Sequence, residues 1–238
     1  MKLDILAFGA HPDDVEISAA GTLILHKKKG YKTGIIDLTQ GEMGTRGNIE
    51  IRAKESIDAS KIMNLDIRLN LKLRDGFINN DEKSQMEVIK YLRLYRPSIV
   101  LCNAINDRHP DHRKSSELIK DACFLSGLRK IKTTLNGNKQ EPWRPDNIYF
   151  YIQYQYIKPD IIVDISPYHA DKMDAIKAHK SQFFDPNSNE PATVISKKTF
   201  LEKIISRDQE FARSIHSEYA EGFTSFRTIV TNDLLSLL

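Results

Sequence analysis

An α/β fold, with a mostly parallel twisted sheet covered by helices on both faces, is predicted by two features of the 238-residue chain. Short apolar runs alternate with longer amphipathic stretches, the pattern of parallel strands joined by helical crossovers. Two polar clusters, at residues 9–14 and 107–112, each follow an apolar run and precede a helical period. That is where doubly wound sheets bind their ligands, beyond the carboxyl ends of the strands.

In chain order, residues 3–9 predict the first strand and residues 15–29 a helix with Ile17, Ala20, Ile24 and Leu25 facing inward, closed by Gly30. Residues 33–39 predict a buried strand. Residues 40–48, with Gly41, Gly44 and Gly47, predict a loop. A helix over 49–64 would turn Ala53, Ile57, Ser60 and Met63 inward, and a short strand over 66–71 precedes the turn at Asp75-Gly76. The helical period returns over 84–96 with Val88, Ile89, Leu92 and Tyr95, and Pro97 stops it before a strand over 98–102. Residues 113–128 predict a helix with Ser116, Ile119, Ala122, Cys123 and Ser126 inside. Residues 132–146 form a polar loop long enough to be functional. Strands over 147–156 and 160–165 and helices over 168–181 and 197–214, joined by a polar link at 185–192, complete one domain over 1–238.

Composition narrows the function. Thirty-five Lys+Arg against 32 Asp+Glu leave a net charge of +3, too diffuse for a nucleic-acid footprint, and 40% hydrophobic residues exclude a disordered chain. No stretch approaches the roughly 20 apolar residues of a membrane span. The first residues build no secretory apolar core before Asp13 and Asp14, so a cytoplasmic location is expected. Cys102 and Cys123 fit neither a metal nor a redox spacing.

The chemistry is expected where the two polar clusters converge. Asp-Asp alone suits any helix N-terminus, and a lone His-Pro-Asp-His suits a turn. Together they supply the three His/Asp ligands of a catalytic zinc site, which leaves a position for water. His11 and Asp14 fall one helical turn apart if Pro12 opens the helix, and His112 completes the set. Asp13 then remains free as a base, while His26, His169, His179 and His216 lack acidic partners at ligand spacing. A dinucleotide site is excluded because two carboxylates occupy the place of a pyrophosphate and Gly-x-Gly-x-x-Gly is missing. The glycine loop and Arg52 are the third crevice candidate, since arginine forks suit carboxylates. Iron, manganese or cobalt would suit the same ligands.

Ala10-His11-Pro12-Asp13-Asp14 and His109-Pro110-Asp111-His112 resemble the two metal motifs of the LmbE-like (PIG-L) zinc deacetylases. Gly44-Thr45-Arg46-Gly47, Glu50-Ile51-Arg52, Glu141-Pro142-Trp143-Arg144-Pro145, Lys180-Ser181-Gln182-Phe183 and residues 218–223 are similar to the branch acting on N-acetylglucosaminyl-L-malate in bacillithiol synthesis. The resemblance implies a Rossmann-like sheet, zinc on His11, Asp14 and His112, Asp13 as general base and His109 at the oxyanion or leaving group. It further implies Asp111 as the carboxylate orienting a histidine, and Arg52, Arg46 and Thr45 as substrate contacts, Arg52 towards malate. The implied substrate is a small amino-sugar conjugate and the implied assembly a homo-oligomer, a hexamer in similar proteins. An inositol glycoside or a chitooligosaccharide is the alternative substrate, and a non-catalytic sugar- or metal-binding module the alternative class. Arg74 and Arg113 depart from the family pattern, which has proline and glycine there, and Arg113 is expected to alter the crevice rim.

Overall fold

A computed structural model describes residues 1–231, 233 and 235. Its strands are β1 (Ile5–Gly9), β2 (Thr33–Thr39), β3 (Ile67–Leu73), β4 (Ile99–Cys102), β5 (Thr134–Leu135), β6 (Asn138–Lys139), β7 (Asn147–Tyr151), β8 (Ile161–Asp164) and β9 (Ala220–Thr224). Its helices are α1 (Asp14–Lys28), α2 (Ile49–Ile62), α3 (Glu82–Tyr95), α4 (Pro110–Leu125), α5 (His169–Lys177) and α6 (Lys198–Ala212). Seven strands form one sheet in the order β3-β2-β1-β4-β7-β9-β8. All pairings from β3 to β7 are parallel, and β9 runs antiparallel between β7 and β8.

The expected α/β sheet is therefore present, and its strand order reverses at β1, which lies between β2 and β4. Both polar clusters leave the sheet there, one after β1 and one after β4, so the crevice forms between them. One core cluster packs Leu6, Phe8, Ile36 and Val100 against Val88, Leu92, Leu118 and Ile119 of α3 and α4. The other packs Ile5, Ala7, Ile35 and Leu101 against Val15, Ala19 and Leu23 of α1 and Ala175 of α5. Helices thus cover both faces. Among the described residues, no helix is long and apolar enough to cross a membrane.

Four expectations change. Strand β9 escapes the apolar-run pattern because Ala-Glu-Gly-Phe-Thr carries a charge and a glycine, yet all five residues are buried. The 132–146 loop contains the β5–β6 hairpin. Helix α4 begins at Pro110 rather than 113, with proline in its first turn and His109 as N-cap. In α2 the inner face is Arg52, Glu55, Ser56 and Ala59, while Ala53 and Ile57 are exposed. Polar partners override the apolar period there, because Glu55 accepts hydrogen bonds from Ser181 N and Oγ at 2.6 and 2.8 Å.

Candidate active site

The turn between β1 and α1 is held from three sides. Ala10 O accepts hydrogen bonds from Thr39 N (3.1 Å) and Thr39 Oγ1 (2.8 Å). Ala10 N donates to Asn103 Oδ1 at 2.9 Å, and Pro12 O accepts from Arg52 Nη2 at 2.8 Å. Pro12 does not open the helix as expected. The chain instead turns through Asp13 at φ 123°, a conformation that L residues rarely adopt, and α1 starts at Asp14. His11 and Asp14 still meet, because Asp14 Oδ2 accepts from His11 N at 2.9 Å.

At the centre, His11 Nδ1 lies 3.4 Å from Asp14 Oδ2 and His112 Nε2 lies 3.2 Å from Asp14 Oδ1. His109 joins them, since His11, His109 and His112 offer nitrogens within 4.8 Å of one another. The opposite nitrogens face carboxylates. His112 Nδ1 sits 2.6 Å from Asp107 Oδ2, and His11 Nε2 sits 3.0 Å from Asp75 Oδ1 and 3.5 Å from Asp111 Oδ2. Asp111 also accepts from Gly76 N and Ile78 N. Asp14 accepts from Asn103 Nδ2 (3.0 Å) and Gln153 Nε2 (2.6 Å). This donor set fits a divalent metal: two imidazoles and a carboxylate converge, the Asp107 contact at His112 Nδ1 selects the tautomer that presents a lone pair at Nε2, and His11 Nε2 is buried without a hydrogen-bond partner. His11, Asp14 and His112 could hold such an ion, and His109 stands beside them.

The surroundings tune each group differently. Burial pushes the Asp13 carboxyl up to about 6, against the pull of the Arg52 guanidinium. Burial opposes ionisation of Asp14 as well, but His112 and His11 hold it well below the usual carboxylate range. Burial lowers His109, helped by the neighbouring His11 and His112. His109 Nδ1 accepts from Asp111 N at 3.2 Å, which leaves Nε2 as the protonated nitrogen of the neutral ring.

These groups line a cavity of about 540 Å³. Asp13, Asp14, His11, His109 and His112 form its polar end, and Ile17, Tyr154, Phe200, Ile204 and Phe211 an apolar wall. Arg52 lines it too, with both terminal nitrogens engaged and Nε without a hydrogen-bond partner. It is buried, and Nη1 donates to Gly41 O at 2.9 Å while Nη2 serves Pro12 O and reaches Asp13 Oδ2 at 3.4 Å. Arg46 lies outside the cavity lining, donating to Ser188 Oγ and Glu190 Oε2. Thr45 is exposed and also outside it. Arg52 thus braces Asp13, and Arg46 anchors the glycine loop, whose Arg46 O accepts from Gln182 Nε2 at 2.8 Å. Arg113 pairs with Glu117 away from the rim, and Arg74 stacks on Phe77.

The sequence motifs assign no role to Asp75, Asp107, Asn103 or Gln153. Asp107 stood inside the second cluster, and its proximity to His112 was the available signal; the others act from loops whose convergence only the fold reveals. Two of the four histidines expected to lack acidic partners have them, from distant segments: His179 Nε2 is 3.0 Å from Glu16 Oε1, and His169 Nε2 is 3.5 Å from Asp208 Oδ2.

The chain is similar to several known proteins. The sequence model of PIG-L, GlcNAc-PI de-N-acetylase, matches residues 6–123, a span holding both motifs. The crystal structure of the conserved protein TT1542 from Thermus thermophilus is 34% identical, with a TM-score of 0.86 over 98% of each chain. A diacetylchitobiose deacetylase of Thermococcus kodakarensis is 28% identical over 75% of this chain and 70% of that protein. A probable N-acetyl-alpha-D-glucosaminyl L-malate deacetylase 2 of Bacillus subtilis is 28% identical over 76% of this chain and 84% of that protein.

Proposed function

The chain belongs to the PIG-L family of metal-dependent deacetylases, hydrolases of N-acetyl amides, and on that premise we propose that its substrate is an N-acetyl-D-glucosaminyl conjugate. The observation carrying the proposal is the juxtaposition of a buried His11/Asp14/His112 set with a carboxylate, Asp13, that faces the same cavity. A pure binding module has no use for that second carboxylate.

Zinc or another divalent ion on His11, Asp14 and His112 would supply Lewis acidity, polarising the acetyl carbonyl and making water a stronger acid. Asp13, raised towards neutrality by burial, takes the proton of the attacking water and returns it to the departing amine. Arg52 Nη2 fixes the orientation of Asp13. His109 Nε2–H donates to the developing oxyanion, an effect worth about 3–4 kcal/mol for one well-placed donor. Both functions are needed because an amide is a poor electrophile with a poor leaving group.

The conjugate we favour is N-acetylglucosaminyl-L-malate. Its carboxylates need cations; Arg46 is tied to Ser188, and Arg52 is tied through Nη1 and Nη2 to Gly41 and Pro12, which leaves only Nε open. Among the described residues lining the cavity, Arg108 and Lys203 pair with no acid, and Arg108 lies over the Tyr154 ring at 5.0 Å. A second reading, a chitooligosaccharide, is favoured by the aromatic lining of Tyr154, Tyr156 and Phe200, whose faces suit a second sugar ring. Parallel assays of acetate release decide between them. Malate conjugate preferred over N,N′-diacetylchitobiose, with that preference lost in Arg108→Ala or Lys203→Ala, supports the first; the reverse order supports the second.

A further inference from the structure

Beneath the cavity, side chains from α6 and β9 enter the hydrogen-bond ladder of α1. In a regular helix the N–H groups of Gly21 and Thr22 point to the carbonyls of Ile17 and Ser18. Here they also donate to Glu221 Oε1 and Oε2, at 3.0 and 2.7 Å, and Ile17 O accepts from Arg207 Nη2 at 2.5 Å. Insertion of side chains into the ladder is a recognised cause of helix bending. The inserted acid and base belong to a closed group of two cations and two anions. Lys172 Nζ lies 2.7 Å from Asp208 Oδ2 and 2.9 Å from Glu221 Oε1, and Arg207 Nη2 lies 3.0 Å from Asp208 Oδ1. Lys172 and Asp208 are wholly buried, so removing one partner would leave an uncompensated charge.

The remaining arm of Arg207 leads to the site. Nη1 donates to Gln153 O at 2.7 Å, and the Gln153 side chain donates to Asp14 Oδ1 at 2.6 Å. One guanidinium therefore grips both the first turns of the helix that bears Asp14 and the residue that orients its carboxylate. We propose that Arg207 is a positioning residue for Asp14, setting the metal affinity and turnover of the site through Ile17 and Gln153. The proposal rests on the reading of Asp14 as a metal ligand. Arg207 also lines the cavity, but Nε and both terminal nitrogens are engaged by protein acceptors. At most one Nη1–H remains for substrate, and a loss confined to KM would reveal such a contact.

The test uses Co2+ titration of the metal-stripped full chain, followed by visible absorption, beside kcat and KM on the better of the two conjugates above. Arg207→Lys keeps the charge opposite Asp208 but cannot span Ile17 O and Gln153 O together. Loss of a group that orients a ligand costs about 10–100-fold in affinity or activity, so Arg207→Lys is expected to weaken Co2+ binding by about tenfold or more, alter the Co2+ spectrum and lower kcat, with KM nearly unchanged. Gln153→Ala is expected to do the same, and the double variant to be no worse than either single one, as for two residues on one path. Parent-like Co2+ affinity in Arg207→Lys, effects that multiply in the double variant, a change confined to KM, or simple loss of the fold would each overturn the proposal. Asp14→Ala separates the two levels: parent-like Co2+ binding in that variant shows that the reading of Asp14 itself has failed.

Discussion

Asp13 occupies a backbone conformation, φ 123°, that costs a non-glycine residue roughly 1–3 kcal/mol. The hydrogen bonds around Ala10 and Pro12 hold it there, and the effect is to bring its carboxylate into the cavity beside Asp14. Two substitutions separate strain from chemistry. Asp13→Asn should keep its metal and lose turnover by about 100-fold or more, the scale of general acid–base catalysis; near-normal hydrolysis would remove Asp13 from the role of base. Asp13→Gly should lose turnover equally while unfolding at a higher temperature, since glycine accepts the backbone without strain. Behind His112, Asp107→Asn should weaken metal binding about 10–100-fold, measured by competition with a chromogenic chelator. Unchanged affinity would mean that the 2.6 Å contact does not orient the ring.

The glycine loop and α2 act as one brace. Gly41 has φ +67°, and a Cβ there would stand 1.7 Å from Arg52 Nη1. Gly41→Ala should therefore displace Arg52 and with it Asp13, lowering kcat on the malate conjugate and on free N-acetylglucosamine alike. Arg52→Lys should do likewise, because its guanidinium serves Asp13 and two carbonyls; a loss confined to the malate conjugate would restore Arg52 as a malate contact. These elements mark the limit of what was legible in the sequence. His11, Asp14, His109 and His112 could be read because metal-ligand types recur in short motifs after strands, where the fold class already directs ligands. Helix α2 could not, since its exposed Ile51 and Ile57 mimic an inward face while Arg52 and Glu55 are the buried residues. Strand β9 and Gln153 were hidden for the same reason: their roles come from distant partners rather than local pattern.

Among the described residues, the side of the sheet that carries α1 holds two closed groups of buried charge, one around Lys172 and Asp208 and one around Arg68. Arg68 pairs with both oxygens of Asp37 and with Glu16, and His179 approaches Glu16 from α5's end. Burial raises the Glu16 carboxyl, but Arg68 and His179 outweigh it and bring it from 4.5 to about 2. A depressed acid stabilises the fold fully above its unfolded pKa and loses that contribution as pH falls through the folded one. The Glu16 contribution, about 3 kcal/mol at 1.36 kcal/mol per pKa unit, should thus fade between pH 4.5 and about 2. Glu16→Gln should flatten the acid limb of a denaturant-midpoint titration over that window; an unchanged limb would contradict the pairing. The molecule's mild net charge of +3 conceals this arrangement, in which acids gather at the crevice and the buried cations Arg68, Lys172 and Arg93 are already engaged by protein acceptors. The most direct measurement on the central claim is acetate release from N-acetylglucosaminyl-L-malate and N,N′-diacetylchitobiose by the metal-loaded protein, before and after a chelator. Hydrolysis of at least one conjugate, abolished by the chelator and restored by a divalent metal, is the predicted result. No acetate from either, or release indifferent to the chelator, would contradict the account.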